Sequence, residues 1–253
     1  MSTRPATAAV VALACVAAGG ALTGCETTQE KSAAIGKRAA AVDVPGRVRI
    51  GRPSPEVRLV AKTELRGEEG NAVVVELQNT GPRALVRYPV ALRTIVAGRP
   101  QYANDFEGGD ELLLRVPVIP PRGRVTWVNA GLPPAAEGAK LAVVLGSPIR
   151  RSRRPAAELA VSELQRSTED SGPEGVAVTG VVRNPLRREQ TEVPVYVTVR
   201  EGGRITAAGA TRIASIPARS TAPFEAVLVG DGRTGRLAAQ ALPTKLPTTR
   251  SSR

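Results

Sequence analysis

The side chains able to do chemistry are few and unevenly placed. The chain has no histidine, which removes imidazole acid–base catalysis, the Ser-His-Asp arrangement and the usual zinc ligand sets. Its two cysteines, Cys15 and Cys25, both lie near the N-terminus. Carboxylates gather once, as Asp105, Glu107, Asp110 and Glu111, in a segment that also holds Tyr102 and Phe106. Four such oxygen donors suit a hard cation such as calcium, but they lack the ordered spacing of a known calcium loop. The two rings suit contact with a sugar or a protein partner, and loops on a rigid scaffold are where binding residues tend to sit. A plain surface loop that packs its rings back on the body is the commoner case. Glycoside hydrolysis needs two acids held a fixed distance apart across a cleft, and no spacing here marks such a pair. Gly202-Gly203 and Gly230-Asp231-Gly232 have the composition of hairpins and turns, not of phosphate loops. The expectation is a protein with no catalytic residue, no metal and no cofactor. A carboxylate-dependent hydrolase is the reading these residues favour least.

Cys25 is the exception, because of what precedes it. Residues 6–22 carry no charge and are built from Ala, Val, Leu and Gly with one Thr and Cys15, after a short polar start whose one charge is Arg4. That is the layout of a secretory signal. A membrane span needs about 20 strongly apolar residues, and this run is shorter and rich in Ala and Gly. Its exit, Leu22-Thr23-Gly24-Cys25, resembles the bacterial lipobox: an aliphatic residue, two small ones, then cysteine. The resemblance implies diacylglyceryl transfer to the Cys25 thiol and cleavage before it. Ordinary signal cleavage near Gly20 or Ala21 is the alternative and would leave Cys25 free. Each buried acyl methylene contributes roughly 0.8 kcal/mol, so two or three chains make release negligible. The expected location is the extracytoplasmic side of a membrane, held there by the lipid anchor.

Loss of residues 1–24 removes Arg4 and leaves 34 basic against 23 acidic side chains, a net +11. With Cys25 the remaining cysteine, no internal disulfide can form, so the fold must rest on its core. The excess is nearly all arginine, which a GC-rich genome would favour. Attraction to anionic lipid or acidic cell-wall polymer is the functional alternative. Nucleic acid is not expected as a partner, because the aromatic side chains that stack on bases are nearly absent.

The elements that must position these residues read as strands. Ala72–Leu77, Val90–Val96 and Leu141–Leu145 are short, apolar and bounded by turn formers, and no stretch carries a helical stripe. Val75-Glu76-Leu77-Gln78-Asn79 recurs 105 residues later as Gly180-Val181-Val182-Arg183-Asn184, and the same offset relates Pro89-Val90 to Pro194-Val195. After an eight-residue gap the offset becomes 97, relating Ile119-Pro120-Pro121-Arg122 to Ile216-Pro217-Ala218-Arg219 and Trp127 to Phe224. Two copies of short strands with turns near every tenth residue predict two small antiparallel sandwiches. Trp127 and Phe224 are expected to plug their cores.

The second copy resembles the bacterial immunoglobulin-like modules of the FxLYD type. The similarity lies in Thr179–Asn184, the strand Val195–Arg200 with Gly202-Gly203, and Ile216-Pro217-Ala218 leading to Ala222-Pro223-Phe224. The strand equivalent to the naming motif reads Tyr196-Val197-Thr198-Val199-Arg200, without Leu-Tyr-Asp. The resemblance implies a β-sandwich on an exported or anchored protein and no catalytic residues.

The expected organisation is an all-β chain of two tandem immunoglobulin-like sandwiches, with a signal over 1–24 and a flexible tether over 25–55. The sandwiches occupy 56–149 and 156–243, joined by an Arg-rich linker over 150–155 and followed by a disordered tail over 244–253. Arg150, Arg151, Arg153 and Arg154 are candidates for anionic contact. The expected function is a structural or adaptor module of the cell envelope that binds another envelope protein. A binder of acidic polymer or anionic lipid is the alternative.

Overall fold

The computed structural model describes residues 50, 52–67, 70–96, 99–104, 114–132, 141–154, 156–167 and 176–246. Among them every regular element is a strand. The first copy contributes β1 (Val57–Arg66), β2 (Asn71–Asn79), β3 (Ala84–Val96), β4 (Arg99–Tyr102), β5 (Arg115–Ile119), β6 (Arg124–Leu132), β7 (Ala142–Leu145) and β8 (Arg150–Ser152). The second contributes β9 (Ala160–Arg166), β10 (Ala177–Arg183), β11 (Gln190–Glu201), β12 (Arg204–Ile216), β13 (Thr221–Val227), β14 (Val229–Gly230) and β15 (Arg236–Ala241). All pairings are antiparallel, as the all-β expectation requires.

The sheets match pairwise between the copies. Order β1-β2-β6 in the first answers to β9-β10-β13 in the second. The second sheet of the first copy is built on β3, flanked by β4 and β5 on one side and by β7 and β8 on the other. Its counterpart runs β14-β12-β11-β15. Gly202 and Gly203 make the two-residue turn between β11 and β12, both with positive φ, the backbone a tight right-twisted hairpin demands. Trp127, opposite Val75, is fully buried in the first core, and Phe224, opposite Gly180, is buried in the second.

The repeat is written most clearly in two buried asparagines. Asn79 Nδ2 donates to the carbonyls of Arg83 (2.7 Å) and Pro120 (2.8 Å), while its Oδ1 accepts from Gly81 N. Asn184 Nδ2 donates to Arg188 (2.9 Å) and Pro217 (3.0 Å), while its Oδ1 accepts from Leu186 N. These three partners are related by the two sequence offsets; Asn184 also donates to Ile216 O at 3.1 Å. Each asparagine ties the end of a central strand to the start of the next strand and to the turn before the aromatic-bearing strand. Carbonyls at such corners would otherwise be buried without donors. The left-handed residues recur in step: Arg87 with Glu192, and Arg122 with Arg219.

The two sandwiches are not separate bodies. Gly46–Arg253 forms one compact unit. β2 and β11 are buried on both faces: Val73-Val74-Val75 is an unbroken apolar run, and between the valines of β11 Tyr196 and Thr198 are buried as well. Val75 and Leu77 point into the first core; Val195, Val197 and Val199 point into the second. Between them, Tyr196, Ile205 and Ala208 of the second copy join the core of the first. β12 lies against β1, β2 and β6, so one outer face of each sandwich closes on the other.

Three expectations need correcting. The tether expected over 25–55 does not reach residue 55: Ser54 is buried and its N donates to Gly146 O, because the chain here is laid along the start of the body. Arg150–Ser152 is not linker but strand β8, paired with Ala84–Val86 of β3. The flanking prolines that suggested an extended connection are equally compatible with a short edge strand. The segment from Thr244 does not begin as a frayed tail either. The backbone nitrogens of Thr244 and Lys245 donate to Gln190 Oε1, and Leu246 is buried against Ala84, Val86 and Val118.

Candidate functional site

Leu22, Thr23, Gly24 and Cys25 lie outside the described residues, and so do Asp105, Phe106, Glu107, Asp110 and Glu111. Of the carboxylate-bearing loop, only its base is described. Tyr102 closes β4, paired in register with Arg93. Asn104, which sequence reasoning passed over, is fully buried. Its Nδ2 donates to Val90 O and its Oδ1 accepts from Leu92 N, so one side-chain amide completes the edge of β3 where β4 leaves it. The loop therefore departs from a fixed base. Among the described residues no group of three acids, cysteines or histidines is placed to hold a metal ion.

The arginine run is split in use. Arg151 turns toward the turn that enters β1: its Nε donates to Glu56 Oε2 at 2.9 Å. Arg150, Arg153 and Arg154 are exposed. An edge strand studded with charge is a standard defence against pairing with another chain.

A cleft of about 210 Å³ opens at the seam of the two sandwiches, lined by residues including Glu76, Thr126, Tyr196, Thr198 and Gln240. On one wall Arg200 of β11 donates to the Glu76 carboxylate of β2. On the other, Gln240 of β15 accepts from Thr126 N (2.8 Å) and donates to Arg124 O (3.4 Å), engaging the open edge of β6 as a neighbouring strand would. These groups satisfy one another across the seam. The cleft is a joint between the two sandwiches.

One buried titratable group stands apart. The Tyr88 hydroxyl is enclosed in the first core with no hydrogen-bond partner, and burial pushes its phenol up to about 12. It is fully buried, packed with the apolar side chains of the first core.

No family model matches the chain, and no curated protein does. Among solved structures the chain is similar to a transglutaminase of red sea bream, at 13% identity and a TM-score of 0.24 over 88% of this chain. The match takes in 33% of that protein's length. A likeness this slight carries no argument about activity.

The signals for Asn79 and Asn184 were present in the repeat itself. Asn104, Glu76, Arg200 and Gln240 had none, because each earns its role from a partner more than ten residues away.

Proposed function

We propose that this chain is a lipid-anchored protein of the bacterial cell envelope, fastened through a diacylglyceryl group on Cys25. It acts as a non-catalytic structural or adaptor module built from two immunoglobulin-like sandwiches. The observation that carries this reading is Leu22-Thr23-Gly24-Cys25 standing directly after the uncharged run of residues 6–22. The body is compatible with it: the two sandwiches form one compact unit, and Asn104 completes the edge of β3 next to residues 105–113. Intact-mass spectrometry of protein extracted from membranes tests the anchor. The expected species lacks residues 1–24 and carries acyl mass at Cys25; an unmodified thiol there overturns it. Photo-crosslinking in cells from positions in 99–113 tests the adaptor role. A specific envelope protein should be captured, and a diffuse smear of abundant neighbours would argue against it.

A second reading, contact with acidic polymer or anionic lipid, is favoured by Arg150 in β8 and Arg153 just beyond it, both exposed.

A further inference from the structure

The cleft at the seam owes its shape to two small side chains standing between two long ones. Strand alternation sends Tyr196, Thr198 and Arg200 of β11 to one face, and β15 sets Gln240 opposite Tyr196 and Ala238 opposite Thr198. Across the seam, β2 and β6 set Glu76 opposite Thr126. Arg200 reaches over to the Glu76 carboxylate, and Gln240 reaches over to the Thr126 backbone. Thr198 and Ala238 lie between these two ties and are too short to span the seam, which leaves the gap of about 210 Å³ beside them. The ties hold both walls, so the cleft is formed before anything enters it.

Thr198 says what the cleft suits. It is 6% exposed and lines the gap, yet its hydroxyl has no hydrogen-bond partner among the described residues. The Thr126 hydroxyl and Glu76 Oε2 also have none there. A hydroxyl taken from water without a partner is costly, and an apolar ligand would leave Thr198 in that condition. A charged ligand would meet a carboxylate already matched by Arg200, and Arg124, which also lines the cleft, is exposed to water where an ion pair is worth little. The rest of the lining alternates hydroxyl and amide groups with Val60, Val125 and the Tyr196 ring. That pattern matches a ligand whose hydroxyls, each able to donate and accept, stand around an apolar C–H framework. Sites for drug-sized molecules run about 300–1,000 Å³, so this smaller one takes a single ring.

We propose that the seam binds one sugar residue, whose hydroxyls bond to Thr198, Thr126 and Glu76 Oε2. Each sandwich supplies one wall, so the bound ring ties the two together. The proposal does not rest on the lipid anchor: an unmodified thiol at Cys25 would leave it untouched.

The test is a titration of the full chain, in a detergent without a sugar headgroup, with glucose and with N-acetylglucosamine at millimolar concentration. The backbone amide NMR signals of Thr126, Thr198 and Gln240 should shift saturably with at least one sugar, while that of Asn184, in the far brace, stays put. Thr198→Val keeps the shape and removes the hydroxyl. It should weaken the sugar about fivefold to tenfold and leave the thermal midpoint no lower, because the hydroxyl has no partner to lose. Ala238→Leu, which fills the gap from an exposed position, should abolish the three shifts with the fold intact. Absence of a saturable shift with both sugars overturns the proposal, as do equal affinity in Thr198→Val and a lowered midpoint there, which would make the hydroxyl part of the fold. Shifts caused by inorganic phosphate and not by either sugar overturn it in favour of an anion site at Arg124.

Discussion

The two sandwiches are built on one plan and filled with different side chains. In the first, Trp127 lies opposite Val75; in the second, Phe224 lies opposite Gly180, where an added Cβ would meet the ring at 2.7 Å. Tyr88 in the first core is replaced by Val193 in the second, each following a left-handed residue, Arg87 or Glu192. One long strand, β12, in the second copy corresponds in the first to β4, a loop and β5. What did not drift is the polar brace: Asn79 and Asn184 hold equivalent backbone groups. Core volumes can be traded between neighbours because apolar contacts are non-directional. A buried amide serving both donors and acceptors has no substitute of the same shape, so the brace is the part that duplication preserved.

The largest effect should come from emptying each core. Trp127→Ala should cost about 4 kcal/mol and Phe224→Ala somewhat less, read from denaturant midpoints, because the larger buried ring leaves the larger cavity. Equal losses would mean the second core depends on its ring as fully as the first. Next, Asn79→Ala and Asn184→Ala should each cost about 3 kcal/mol, through buried carbonyls left without donors. If one is tolerated, the braces are not equivalent. Gly180→Ala should cost about 1–3 kcal/mol by overpacking against Phe224, and the companion change Phe224→Leu should restore part of it.

The Tyr88–Val193 difference predicts a pH effect confined to the first copy. The folded phenol, at about 12, lies above its ordinary value of 10.0, so the neutral form is preferred in the native state. Stability is therefore unaffected below pH 10 and falls as pH rises from 10 toward 12. Tyr88→Val, which copies the second core, should remove that slope in alkaline thermal melts. The smallest effect is at the seam. Arg200→Gln, which breaks a partly exposed pair with Glu76, should cost at most about 1 kcal/mol.

The strands, the repeat and the eight-residue difference between copies were legible because turn residues and a buried asparagine recur at fixed offsets. The Gly202-Gly203 hairpin was legible for the same reason, since tight turns constrain residue type. The fusion of the sandwiches was not. A strand buried on both faces, like β2 or β11, reads as a plain apolar run, and nothing in such a run says what covers its second face. The arginine strand was hidden by its charge and its flanking prolines, which describe a linker equally well. The candidate site was legible as composition only: Asp105 to Glu111 lie outside the described residues, and the base of their loop is set by Asn104, a single amide with no pattern around it.

The body begins and ends on the same strand. Ile50 and Leu246 both rest on the outer face of β3, against Ala91 and against Ala84 and Val86. A pull between Ile50 and Leu246 is therefore borne locally, by β3 and the short segments laid over it. The second sandwich, though it comes later in the chain, stands outside the line of tension and keeps its shape while the ends are strained.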